Sequence, residues 1–283
     1  MNKSVSTLSS EPLIIITPKQ DSFRTFITKN LAHTQVLKLL SMKDIKLRFQ
    51  ETKAGNVWFL VQPLVTLIIF TVFLGYVARV PTGDLPYVLF FLSGLIPVTF
   101  FNTVMQRMAS SIYENSYIVS KVYFPRTIIP LSVIAGVAID FMVMSILLVL
   151  LTFYNGYTPA LSTLWLIPLA TICLTLIAAG VGLCMSIVTL KYKDMRVMLP
   201  MITQVVMFAS PVIYPIQLVP EKFHDLYISN PLAPIIDIWR QCFFQSGELS
   251  AHAFISPLIA AIVLPCLGIY YFYKNEKHIM QYL

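Results

Sequence analysis

One carboxylate stands inside an otherwise apolar run: Asp140, in VIAGVAIDFMVMSILL. An ionisable side chain at that position is costly in lipid and needs a partner or a watery cavity. Two roles are open for it: lining or gating a pore, or a structural carboxylate held by hydroxyls or a neighbouring helix. A second charged pair, Asp237 and Arg240 in LAPIIDIWRQ, is spaced three residues apart. On a helix the two share a face, where they can pair or meet polar groups of a ligand.

Catalytic patterns are otherwise missing. There is no GxxxxGKS/T phosphate loop, no HExxH and no GxSxG elbow. His33, His224, His252 and His278 share no ligand spacing. No carboxylate pair of the glycosidase kind lies in or beside the apolar runs. Cys173, Cys184, Cys242 and Cys266 form no CxxC pair and read as small apolar packing residues. These absences weaken every enzyme class, a membrane-bound transferase included. With Asp140 the one clear mid-run ionisable residue, an ion-coupled transporter is weakened as well.

Aromatic side chains are the other chemically useful group, with 19 Phe, 14 Tyr and 3 Trp. Trp58, Phe59, Tyr87, Tyr154, Tyr270, Tyr271 and Tyr273 fall at the ends of apolar runs, as interfacial belts do. Phe70, Phe73, Phe90, Phe91, Phe100, Phe101 and Phe208 fall deeper. Their faces suit the C–H faces of sugars, and suit lipid or core packing equally.

The elements that must position these residues follow from composition. The chain of 283 residues is 57% hydrophobic and 12% charged, about half the charge of a soluble domain. Six apolar runs predict an all-α integral membrane protein with spans at about 57–78, 86–111, 128–154, 163–190, 197–217 and 253–273. They lack the alternation of barrel strands. The division is an N-terminal segment, 1–56, and a six-helix domain, 57–283. No cleavable signal is read at the N-terminus, where LIIIT is followed by a polar, basic stretch.

Basic residues set an orientation. All but Arg79, Lys222 and Arg240 of the 20 Lys and Arg fall on one side of this topology, so that side and both termini are expected in the cytoplasm. A net charge of +7 therefore reads as orientation rather than nucleic-acid binding. Before the first span, Phe23, Phe26, Ile27, Leu31, Val36, Leu39 and Leu40 recur at helical spacing, which predicts one or two amphipathic helices along the inner face. Ser132/Gly136 and Ala178/Gly182 have the spacing that lets helices approach closely.

The segment SPVIYPIQLVPEKFHDLYISNPLAPIIDIWRQ, residues 210 to 241, is too apolar for a solvated loop and too broken by proline to span. Backbone of that kind is tolerated at membrane depth where it is buried in protein or lines a cavity. It predicts two re-entrant half-helices at about 211–245, before the last span. Pro211, Tyr214, Pro215, Asp237 and Arg240 are placed at an outer mouth, as a moving gate or a static lid.

Three stretches carry a resemblance to a known family. They are MKDIKLRFQETKAGNVWFLVQPLVTLIIFTVFLG (42–75), ENSYIVSKVYFPRTIIPL (114–131), and SPVIYPIQLVP followed by NPLAPIIDIWRQ. With the spacing of the runs, the chain from about residue 30 onward resembles the membrane subunit of type-2 ABC exporters that move polysaccharides. It departs from the family's basic, glycine-containing lead-in at FQETKAGNVW, where Glu51 stands.

The resemblance implies a homodimer in the bacterial inner membrane, with two copies of a separate ATPase that hold ATP and Mg and no cofactor on this chain. It implies a coupling helix at 112–127, with Glu114, Tyr117, Lys121 and Tyr123 meeting the ATPase. The implied cargo is an undecaprenyl-type lipid-linked polysaccharide, its path assigned to Asp140 and the seven deeper phenylalanines. The long N-terminal segment is more similar to O-antigen exporters than to the capsule type. Scarce outer bases favour a neutral O-antigen over the anionic polymer of the similar teichoic acid exporters. A drug or lipid efflux permease is the alternative within the superfamily.

Overall fold

The computed structural model describes residues 22–50, 55–215, 218–220, 222, 229–246 and 251–283, with backbone alone for 48–50, 55–60 and 251–253. The described residues form helices joined by short turns, with no strand among them. Two helices precede the bundle, α1 (Phe23–Ala32) and α2 (Thr34–Gln50), separated by His33. They stand where the spacing predicts one or two helices, though α2 carries little amphipathic character. Phe26 and Leu40 are buried, while Phe23, Ile27, Leu31 and Leu39 leave an apolar surface open. Rings of Phe23 and Phe26 both pack on Tyr273 at 5.3 Å.

Helix α3 (Gly55–Phe70) continues into a wider π-helical stretch, Thr71–Val77. Then come α4 (Tyr87–Glu114), the short α5 (Ser116–Lys121), α6 (Ile128–Tyr154), α7 (Leu166–Lys191) and α8 (Asp194–Phe208). Two further helices are α9 (Leu232–Phe244) and α10 (Ala251–Asn275). A 3-10 turn, Glu276–His278, links α10 to the terminal α11 (Ile279–Tyr282).

Four helical stretches among the described residues are long and apolar enough to cross a bilayer: Tyr87–Glu114, Ile128–Tyr154, Leu166–Lys191 and Phe254–Tyr282. The expected first span corresponds to α3 and its π-helical continuation, of which Val61–Val77 is apolar but shorter. The expected fifth span, 197–217, is cut short. Helix α8 ends at Phe208, and residues 209–214 form turns instead of a first half-helix. Pro211 has no N–H to give and disfavours helical backbone at Ser210, which accounts for the stop.

Helix α4 is the axis of the bundle, the most buried of the four, with α6 and α7 packed along it. Helix α10 lies against α7 where two backbones nearly touch: a Cβ on Gly268 would overlap the Gly180 carbonyl. In lipid no hydrophobic force pulls helices together, so such close van der Waals contact is what associates them.

The two ends of the bundle differ in chemistry. At the end rich in Lys and Arg, Asp44 of α2 and Arg107 of α4 form an ion pair at 2.7 Å, and Lys43 donates to Asn115 Oδ1 at 2.8 Å. Arg126, before α6, donates to the Glu276 carbonyl at 3.0 Å. The Thr189 hydroxyl, near the end of α7, donates to the Ala109 carbonyl at 2.6 Å. The opposite end is held by backbone acceptors, with Tyr87 donating to the Ile213 carbonyl and Tyr157 to that of Asp84.

Candidate functional site

Three places in the bundle gather the residues the sequence singles out. The first is the turn after α4. Helix α5 projects from the basic end as a two-faced element: Val119 is buried and Phe124 just beyond it is buried too. Tyr117 and Tyr123 are 76% and 72% exposed, and Glu114 and Lys121 are exposed as well. All four candidate contact residues are therefore exposed, and Lys121 Nζ lies 6.0 Å from the Tyr117 ring centroid. The base of α5 is rigid, because Asn115 is tied to α2 through Lys43 and Val122 N–H closes α5 on the Ile118 carbonyl. A neighbouring contact joins the next turn, with the Arg196 guanidinium 3.8 Å over the Tyr113 ring.

The second place is the outer segment. Helix α9 runs antiparallel to α4, and three rungs fix its depth. Arg240 meets Phe90, Ile236 meets Gly94, and Leu232 shares a groove wall with Phe101. It starts deep in the bundle and runs over thirteen residues towards the end opposite the basic one. At 1.5 Å per residue that is about 20 Å, short of the roughly 30 Å of a hydrocarbon core. Its start is pinned by Asn230, whose Oδ1 accepts from Leu232 N–H and whose Nδ2 donates to the Ala209 carbonyl, both at 3.0 Å. The middle of this segment, residues 216–217, 221 and 223–228, lies outside the described residues, and with it most of the expected hydrated turn.

Arg240 is 6% exposed and acts as a clamp. Its Nη2 donates to the Pro211 carbonyl at 2.5 Å and to the Phe90 carbonyl at 3.2 Å, and its guanidinium lies 3.7 Å over the Phe90 ring. Asp237 is the weaker partner, at 3.9 Å and 37% exposed. Gly94 admits this arrangement, since a Cβ there would come within 3.0 Å of the Val212 backbone. Pro211 and Tyr214 thus sit in a turn wedged between α4 and α9, with the Tyr214 hydroxyl donating to Phe208 at 2.8 Å. Pro215 closes that described turn.

The third place is a cavity of about 340 Å³ walled by α3, α4, α6 and Met207 of α8. Asp140 lines it together with Gln62, Thr66, Thr99 and Thr103. The polar residues come in i, i+4 pairs, 62/66 on α3 and 99/103 on α4, a stripe readable in the sequence but missed there. A carboxylate at the centre of a spanning helix costs on the order of 2.5–3.5 kcal/mol by insertion scales. Asp140 shares this space with polar side chains, and the Thr99 and Thr66 hydroxyls give their protons to backbone, to the Leu95 carbonyl at 2.7 Å and the Gln62 carbonyl at 2.9 Å.

The deeper phenylalanines divide. Phe90, Phe91, Phe100 and Phe101 are buried inside the protomer. Phe91 stacks on Phe70 at 4.9 Å, and Phe100 meets Phe141 at 4.9 Å while lining the Asp140 cavity. Phe101 walls a groove of about 880 Å³ under the outer segment. Phe73 and Phe208 are exposed, at 62% and 48%. A second aromatic row that sequence reading did not single out, Phe141, Trp239, Phe243 and Phe244, runs ring to ring at 5.4–6.1 Å from mid-bundle towards the outer end. Among the described residues no cluster of His, Cys, Asp and Glu is arranged to hold a metal.

A multi-helix membrane protein with a short exposed helix at its basic end and a buried non-spanning helix at the other has the architecture of a permease. The chain belongs to the ABC-2 type transporter family, whose model matches residues 35–244. It is accordingly a transporter subunit, with ATP used by a separate partner subunit. An O-antigen export system permease protein, RfbA, of Klebsiella pneumoniae is 30% identical over 249 residues, covering 88% of this chain and 95% of that protein. The Polysialic acid transport protein KpsM of Escherichia coli is 25% identical over 71% of this chain and 78% of its own length. An O-antigen export system permease protein RfbA of Myxococcus xanthus is 21% identical over 80% and 86%.

Proposed function

We propose that two copies of this chain form the channel of an exporter that moves a lipid-linked O-antigen from the cytoplasm to the periplasm of a bacterium. Six spans carry it, with α3 and α8 as the two shorter ones, and both termini lie on the cytoplasmic side. The segment 1–56 docks at the inner face of the inner membrane, and 57–283 is the permease domain. Two ATPase subunits bind Mg-ATP and seat on Glu114, Tyr117, Lys121 and Tyr123. The observation that carries this reading is the rigidly based, exposed α5 in a chain aligned with nearly the whole of an O-antigen permease.

ATP binding stabilises the conformation in which the ATPases close, and the shift enters the bundle through α5 and α4. The polymer, on its undecaprenyl-type carrier, advances past Asp140 and the exposed Phe73 and Phe208, then leaves beneath the α9 gate at Pro211, Tyr214, Pro215, Asp237 and Arg240. Phe70, Phe90, Phe91, Phe100 and Phe101 shape the wall behind it. A capsule-type cargo is the second reading, supported by the likeness to the polysialic acid transport protein.

Deleting the gene and locating the cell's long-chain glycans tests the proposal. Loss of surface polysaccharide with its lipid-linked form retained inside is the expected result, and sugar analysis of the retained material separates O-antigen from capsule. Unchanged surface glycans would overturn it in favour of small-molecule efflux.

A further inference from the structure

We propose that the outer half of the first span is a register switch that latches the outer gate. Its π-helical form holds the gate shut through Gly75 and Tyr87, and tightening to an α-helix releases it. This rests on the channel reading above.

The stretch Thr71–Val77 closes its turns five residues back, with Ala78 N–H on the Phe73 carbonyl at 2.8 Å, and Val80 N–H reaches six back to Leu74 at 3.0 Å. So long a run is unusual, since π turns occur mostly singly and at functional sites. Two neighbouring features carry a cost. Arg79, just beyond, has a left-handed backbone at φ 50°, which is strained for any residue but glycine. Thr71 is buried, and its hydroxyl has no hydrogen-bond partner among the described residues, whereas Thr66, Thr99 and Thr152 each donate to the carbonyl four residues back. Costs of this kind persist only where the surrounding structure enforces them.

The enforcing contact is Gly75 against Tyr87. A Cβ on Gly75 would come 3.1 Å from the Tyr87 Cβ, so there is no room for a long side chain. Tyr87 is itself committed, its ring stacked on Phe91 at 6.0 Å and its hydroxyl donating to the Ile213 carbonyl at 2.9 Å. Ile213 lies in the gate turn, between Pro211 and Tyr214.

A π turn holds one residue more than an α turn. Tightening it on a fixed base advances each residue beyond it by one place, about 100° and 1.5 Å. Leu74 then takes the position of Gly75. Its side chain cannot share that space with Tyr87, so Tyr87 is displaced and its bond to Ile213 breaks. Phe73, exposed in the π form, turns towards the more enclosed place of Leu74. The two registers exclude each other across one contact, as a two-state gate requires.

The test uses the purified chain with its ATPase in vesicles. Leak of a small trapped dye is read without ATP, and export with ATP is read as protection of a lipid-linked polymer from glycosidase. Wild-type vesicles are expected to stay tight without ATP. Tyr87→Phe keeps the ring and removes the bond to Ile213, and is expected to leak about fivefold faster, the effect of one hydrogen bond on a two-state equilibrium. Gly75→Leu supplies at once the side chain that the α register brings, and is expected to leak faster still. Deleting Leu74 removes the extra residue, so the stretch closes as an α-helix with Gly75 still on Tyr87. That variant is expected to be folded and tight, and to lose ATP-driven export. A contact that only supports the fold would lower thermal stability without opening a leak.

Leak of Tyr87→Phe or Gly75→Leu equal to wild type, or a wild-type export rate after deletion of Leu74, would overturn the switch while leaving polysaccharide export standing. Wild-type vesicles that never protect the polymer when given ATP would overturn the export reading itself.

Discussion

Replacing Arg240 by Met removes the guanidinium and keeps most of the side-chain volume. In the structure that guanidinium gives hydrogen bonds to Pro211 at 2.5 Å and Phe90 at 3.2 Å and covers the Phe90 ring at 3.7 Å. Hydrogen bonds from a charged donor contribute about 1.5–3 kcal/mol each, and a desolvated cation–π contact adds about 2 kcal/mol. Burying the charge costs several kcal/mol in return, which Met avoids. The Phe90 carbonyl keeps the Ser93 hydroxyl at 2.8 Å, so Pro211 is the acceptor that suffers most. The net loss is about 2–4 kcal/mol. Scaled as for soluble chains of 150–250 residues, that lowers Tm by roughly 5–15 °C.

Thermal unfolding of the purified protein in detergent measures the loss. Arg240→Lys should fall between, since an ammonium cannot reproduce the planar fork. Asp237→Asn should cost less than about 1 kcal/mol, because its carboxylate is part-exposed and 3.9 Å away. An Asp237→Asn variant as unstable as Arg240→Met, or an Arg240→Met variant as stable as wild type, would refute the clamp.

Three other perturbations have clear expected outcomes. Gly268→Ala drives a Cβ into the Gly180 carbonyl and should cost upwards of about 3 kcal/mol, seen as loss of folded protein in membranes. Asn230→Ala removes the bond from Leu232 N–H and the tie to Ala209, and should cost about 1–2 kcal/mol by thermal unfolding. Tyr117→Ala combined with Tyr123→Ala should abolish export at normal protein level, because both rings are largely exposed and carry little of the fold; export assays against immunoblots decide it.

The helices were readable where lipid imposes a length and a composition. The run expected at 128–154 is α6 to the residue, and those at 86–111 and 163–190 differ from α4 and α7 by a few residues at each end. The early end of α8 lay in the dipeptide Ser210-Pro211, whose effect on the preceding residue was outweighed by the apolar composition around it. The Ala178/Gly182 pair does face a neighbour, with Gly182 against Met108, but the closest backbone crossing is on another face of α7, at Gly180. Spacing along one helix gives a face; it does not give the partner.

Contacts at long range were not readable for the same reason. Arg240 and Phe90 are 150 residues apart, and an Arg three residues after an Asp reads as a local pair when its strongest partners are two distant carbonyls. The polar pairs 62/66 and 99/103 were visible as letters, yet only the packing of α3 and α4 beside α6 brings them to Asp140.

Polysaccharide export through this chain should depend on ATP. Inverted inner-membrane vesicles carrying the chain, its ATPase and a lipid-linked polymer test it most directly, with the polymer's susceptibility to an added glycosidase followed over time. ATP should render the polymer resistant as it enters the lumen, and the Tyr117→Ala, Tyr123→Ala variant should leave it susceptible. Polymer that stays susceptible in wild-type vesicles given ATP, or that becomes resistant without ATP, would contradict the account.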